Sequence, residues 1–190
     1  ALTGGEAKWT LNVDVLPHLL ASDLSETCRT EAKVLQDHLT RLDIWAVKMY
    51  DASARLGSGM LNGNINQFGD YDQCVSVQQR DLGIVGQYCL AVIYMELRDS
   101  ESDPNLATIL DLVQSHQALP SSFTDGNTLL PTFSSVSWGI CVPSACSSLD
   151  VAQALTASLR SHNHTFLIHV RVDQDSCEVQ RPRNLFSISL

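Results

Sequence analysis

Cys28, Ala32, Leu35, Leu39, Leu42, Trp45 or Ala46, and Met49 recur every three or four positions, which draws one apolar stripe down a helix. The spacing predicts a single helix over 25–50, ended by the Gly-, Ser- and Asn-rich stretch 53–63. Upstream, 9–21 reads as helical around Pro17. Residues 57–72 hold four glycines and three asparagines and read as a shaped loop pinned at its end by Cys74. Residues 87–97 are dense in Tyr, Val, Ile and Leu and predict a buried strand. A second strand is expected over 136–142. Asp103 and Pro104 suit a helix start, with Leu106, Ile109, Leu110 and Val113 facing inward to about Gln117. Ser147 caps a further helix with Asp150 three residues on, and Val151, Ala154, Leu155 and Leu159 form its buried face. Residues 166–173 alternate Phe166, Ile168, Val170 and Val172 against Leu167, His169 and Arg171, the period of a half-buried strand.

This order of elements predicts an α+β fold, with helices packed on a small, mostly antiparallel sheet and stapled by three disulfides. The 190 residues suit a single domain, 1–190. Apolar residues are 44% and charged residues 17% of the chain, enough for a core and too little charge for a disordered tail. A net charge of -9, with 12 basic residues that form no run or stripe, disfavours nucleic acid and anionic membrane surfaces as partners. The longest apolar run, from Cys89 to Met95, is far short of the ~20 residues a membrane span needs. The opening residues Ala1, Leu2 and Thr3, with no initiator Met, fit a mature secreted protein or a trimmed one.

Cys28, Cys74, Cys89, Cys141, Cys146 and Cys177 are even in number and widely spread, which suits three disulfides and a secreted or extracellular location. A zinc site would want paired short spacings, and no metal ligand set is nominated. The pairing expected here, one of fifteen arrangements, is Cys74 with Cys89, Cys28 with Cys146, and Cys141 with Cys177. Cys146 stands just ahead of a helix start, where a thiolate would be stabilised, but a secreted six-cysteine chain would oxidise it into a staple. Asn163 opens an Asn-His-Thr glycosylation acceptor. His162, His164 and His169 read as surface histidines. Asp70, Asp72, Asp99, Glu101 and Asp103 could suggest calcium or acid-base chemistry, but 99–103 lacks the ordered ligand positions of a calcium loop and nothing pairs Asp72 with a second carboxylate in sequence. No nucleophile elbow, phosphate-cradling loop or zinc-protease helix is found, so no catalytic residue is assigned and no cofactor is required.

Several stretches together resemble a known module. They are Cys28 with the helix through Trp45 and Met49, Gly69-Asp70-Tyr71-Asp72-Gln73-Cys74, Gly86-Gln87-Tyr88-Cys89-Leu90, Trp138-Gly139-Ile140-Cys141-Val142-Pro143-Ser144-Ala145-Cys146, and finally Cys177. From Cys28 to Cys177 this is similar to the N-terminal extracellular domain of the nose resistant to fluoxetine family. In that family the domain precedes a multi-pass, acyltransferase-like membrane region, which has no counterpart in these 190 residues. The resemblance implies handling of apolar small molecules, in carriage or transfer of a lipid, sterol, retinoid or carotenoid, with a bound lipid or pigment as the occupant. Trp45, Met49, Tyr88 and Trp138 are the expected lining of such a pocket, although helix stripes and buried strands demand such residues for packing alone. The alternative is an extracellular protein-protein interaction module with no small-molecule cavity, docking another protein through the 57–72 loop. A secreted hydrolase is the third reading.

Overall fold

The computed structural model describes residues 13–55, 59, 64, 66–97, 108, 134–162 and 166–180. A 3-10 turn, Leu16–Leu20, carries Pro17 in its first turn and buries Leu16 and Leu19. Of the helix expected over 9–21, only 16–20 is helical, as this 3-10 turn; 13–15 and 21 are not, and 9–12 lie outside the described residues. Helix α1, Glu26–Thr40, is capped by Ser25, whose Oγ accepts from the Cys28 N–H, and buries Cys28, Ala32 and Leu35.

The single helix predicted over 25–50 is two helices, because α1 stops and α2, Ile44–Ala52, begins within three residues. Leu42 takes a left-handed φ of 59°. Its N–H donates to the Leu39 carbonyl and the Asp43 N–H to the His38 carbonyl, which is the Schellman pattern that ends a helix. Helix α2 buries Ala46, Met49 and Ala52, and α3, Tyr71–Ser76, buries Cys74 and Val75. Asp70 accepts from the Gln73 N–H at the start of α3, so the loop expected over 57–72 gives way to helix at Tyr71. Helix α4, Ser148–His162, begins where Ser147 was expected to cap it, and Ser147 and Asp150 exchange the two bonds of a capping box.

The five strands among the described residues are β1 (Gln78–Gln79), β2 (Ile84–Leu97), β3 (Ser134–Pro143), β4 (Phe166–Arg171) and β5 (Cys177–Val179). All pair with β2 in antiparallel fashion, β3 along one side and β1, β5 and β4 in line along the other. Alternation places Cys89, Ala91 and Ile93 beside Ile140, Trp138 and Val136 on one buried face. Ile168 and Val170 of β4 extend that face, while Leu167, His169 and Arg171 point to solvent. Val151, Ala154, Leu155 and Leu159 of α4 close the core as expected. The helix predicted over 103–117 lies outside the described residues, apart from Thr108, which is helical.

The cysteines pair as Cys28–Cys146, Cys74–Cys141 and Cys89–Cys177. The first was expected; the other two correct the expected exchange of partners, and strand parity is the reason. Cys141 lies opposite Tyr88 in the β2–β3 register, on the face that α3 covers, so it meets Cys74. Cys89, one residue on, points to the other face and lies directly across from Cys177.

Candidate functional site

Tyr88, Trp138, Gly139 and Cys141, which carry part of the sequence resemblance, join with 53–54 and 66–68 in a clamp along the outer edge of β3. Ala54 donates its N–H to the Gly139 carbonyl, and Gly139 and Gln67 are joined through the Gly139 N–H and the Gln67 carbonyl. The Gln67 N–H donates to the Ser137 carbonyl, and Asn66 Oδ1 accepts from the Ser137 N–H. Ser53 Oγ donates to the Cys141 carbonyl and accepts from the Cys141 N–H. The buried indole of Trp138 donates to the Ala54 carbonyl at 3.1 Å, and the Tyr88 hydroxyl to the Phe68 carbonyl at 2.7 Å. Residues 53–54 and 66–68 are thereby both fastened to the sheet, on either side of the Gly- and Asn-rich stretch.

Two glycines make this approach feasible. A Cβ on Gly139 would stand 2.1 Å from the Phe68 carbonyl oxygen and 2.2 Å from the Tyr88 hydroxyl. Gly69, at φ 62°, would place a Cβ 2.2 Å from the Ala52 carbonyl oxygen. Sequence reasoning counted Gly69 among the four glycines of the shaped loop, which its positive φ agrees with, but quoted Gly139 within a motif with no role. Its position beside an aromatic and near a cysteine is the only local signal that Gly139 carries.

The four residues expected to line a pocket have different surroundings. Met49 is fully buried in the core. Trp138 is buried with its N–H satisfied and helps to line a cavity of about 30 Å³ beside Tyr50, Leu35 and Ile140, room for about one water. Tyr88 is buried against Gly139 and meets Tyr71 edge to face at 5.2 Å, and burial raises its phenol pKa above the ordinary value. Trp45 is half-buried and lines an open groove of about 550 Å³ with His38, Asp43, Ile44, Lys48 and 76–79. Met49 and Tyr88 line neither space.

At the mouth of the small cavity the Tyr50 hydroxyl donates to Asp14 Oδ2, and the Arg55 guanidinium lies 4.7 Å above the Tyr50 ring. Burial first and the Asp14 carboxylate second push the Tyr50 phenol up, against the pull of Arg55. At the groove His38 Nδ1 and Asp43 Oδ2 are 2.5 Å apart, and the His38 ring tilts against Trp45. His169 is exposed on β4, and the His164 and Asn163 positions lie outside the described residues. Among the described residues no three His, Cys, Asp or Glu side chains gather as a metal site, and no helix is long and apolar enough to cross a membrane.

Exposed aromatic surface collects beside the clamp. Phe68 is 55% exposed and Tyr71 40%, with Asp70 and Asp72 exposed on either side of Tyr71 and the Tyr71 hydroxyl donating to Glu178. Asp70 and Asp72 adjoin Tyr71 in sequence, and Glu178 adjoins it through the hydrogen bond from the Tyr71 hydroxyl.

Residues 28–155 match the model of the nose resistant-to-fluoxetine protein N-terminal domain. The chain is also similar to nose resistant to fluoxetine protein 6 of Caenorhabditis elegans, at 26% identity over 123 residues, which is 62% of this chain and 15% of that protein. It therefore spans a small part of the curated relative that it matches. No solved structure matches the chain.

Proposed function

Because this chain belongs to the nose resistant-to-fluoxetine family through its N-terminal domain, we propose that it is an extracellular binding module that docks another protein at the face around Phe68 and Tyr71. The observation that carries this reading is the clamp, which holds 66–68 to the sheet by hydrogen bonds, with Cys74–Cys141 pinning α3 just beyond, while Phe68 stays 55% exposed. Aromatic residues are the usual anchors of protein interfaces, and exposed ones on a rigid support lose little entropy on docking. The carboxylates of Asp70, Asp72 and Glu178 beside Tyr71 favour a partner surface that carries Lys or Arg. Three disulfides fit an oxidising compartment such as the cell exterior.

The test is capture of surface proteins from the source tissue by the immobilised domain, followed by titration of the partner. Phe68→Ala is expected to weaken binding about tenfold or more with unchanged melting temperature, and Tyr71→Phe, which keeps the ring against Tyr88, is expected to weaken it less than Tyr71→Ala. Binding that survives Phe68→Ala and Tyr71→Ala would remove this face from consideration.

Carriage of an apolar small molecule is a second reading, favoured by the groove beside Trp45, Ile44 and Val77. Its volume of about 550 Å³ lies within the ~300–1,000 Å³ of small-molecule sites. Against it stand the openness of the groove and its polar lining of His38, Asp43, Lys48, Gln78 and Gln79. Solvent extraction of native protein decides the matter by mass spectrometry. A co-purifying lipid or pigment that Trp45→Ala loses would establish carriage, and an empty extract would end it.

A further inference from the structure

The three disulfides differ in what surrounds them. Cys28–Cys146 joins the starts of α1 and α4, and Cys74–Cys141 joins α3 to β3, with all four residues buried. Cys89 is buried as well, but its partner Cys177 is only partly covered. Cys177 opens a three-residue strand, preceded by exposed Asp175 and followed by exposed Val179 and Gln180. That strand holds β2 only at 87–89, while β1 holds 84–85 and β4 holds 92–97 of the same edge. The sheet therefore stays paired on both sides of β5 if β5 leaves. The two buried disulfides also lie within the matched span 28–155, whereas Cys177 lies beyond it.

We propose that Cys89–Cys177 is a redox latch, the disulfide that an extracellular dithiol opens first, freeing β5 and uncovering the edge of β2 at 87–89. A thiolate of the dithiol attacks Cys177 Sγ, the Cys89–Cys177 bond breaks, and Cys89 leaves as a thiolate that takes up a proton. The second thiol of the dithiol then attacks its own sulfur in the mixed disulfide. Cys177 is released as a thiol, and the dithiol, two electrons poorer, becomes a cyclic disulfide. Access governs the rate of such exchange, and access is what separates Cys177 from the other five. Once open, the latch leaves an unpaired strand edge three residues long, bounded by β1 and β4, which can receive an extended segment of a partner.

The oxidised protein is treated with limiting dithiothreitol, quenched with iodoacetamide at intervals, and mapped by mass spectrometry. Cys89 and Cys177 are expected to label together and at least about tenfold faster than the other four. Labelling of Cys28, Cys74, Cys141 or Cys146 at the same pace overturns the proposal. Hydrogen exchange on the Cys89→Ala/Cys177→Ala double variant separates a latch from a staple. A latch gives faster exchange at 87–89 and 177–179 with α1 and α4 unchanged, whereas faster exchange throughout makes the bond a staple of the whole fold and overturns the proposal.

Discussion

Leu42 sits in the left-handed region at φ 59° with 74% of its surface in water. A leucine there suffers the clash of Cβ with the backbone carbonyl, a cost of about 1–2 kcal/mol, and an exposed side chain recovers little of it by packing. Glycine removes the clash but gives up more backbone entropy. Leu42→Gly is therefore expected to raise stability by about 0.5–1 kcal/mol, read as a higher urea midpoint with an unchanged slope. A fall in the midpoint would mean that Leu42 is held by contacts its exposure does not suggest. The same residue explains why one helix was expected where two exist. A helix end is usually announced by glycine at this position, and Leu42 instead continues the three-and-four spacing from Leu39 to Trp45. The exchange of cysteine partners was illegible for a different reason, since which face Cys89 and Cys141 occupy depends on a register set by residues fifty positions apart.

The elements legible in the sequence were those whose burial has a local period. Strand β4 showed its alternation of Ile168 and Val170 against His169 and Arg171, and α4 showed its cap and its buried stripe. The clamp was not legible, because it joins 53–54 and 66–68 to 137–141 and leaves no period in any of the three. Its weak point is Gly139, where β3 passes under Phe68 and Tyr88. Gly139→Ala forces a methyl into the Phe68 carbonyl and the Tyr88 hydroxyl, both within 2.2 Å of its Cβ, and overpacking of this kind costs about 1–3 kcal/mol. The displaced phenol gains water, so the pKa of Tyr88, now raised by burial, is expected to fall back toward its ordinary value. Ultraviolet titration of tyrosine ionisation reads that fall. A lower melting temperature with no change in the titration would show that the strain is relieved elsewhere in β3.

At the scale of the whole molecule, the first and last described helices are tied at their N-terminal ends by Cys28–Cys146 and by one carboxylate. Asp150 is 4% exposed. Its Oδ1 accepts from the Ser25 N–H, and its Oδ2 accepts from the Ser25 hydroxyl and from the N–H and hydroxyl of Ser147. Both serines are caps, so one side chain orders the starts of α1 and α4 across 125 positions of sequence. Burial alone would push the carboxyl pKa up, but the bonds from Ser25 and Ser147 together outweigh it and hold the value below the ordinary 3.8. A carboxyl group depressed in the folded state binds its proton more readily in the unfolded chain. Its contribution is thus complete above the ordinary carboxyl range and is lost as pH falls through the lowered folded value. Asp150→Asn keeps the shape, loses the charge and mispairs at least one donor, for a cost of about 1–3 kcal/mol at pH 6. The difference in unfolding free energy between the native protein and Asp150→Asn is expected to be largest near pH 6 and to shrink as pH falls below the ordinary carboxyl range, while the native carboxyl takes up its proton. Urea unfolding across that range measures it, and a difference independent of pH would show that α1 and α4 are tied by Cys28–Cys146 and packing without help from the charge.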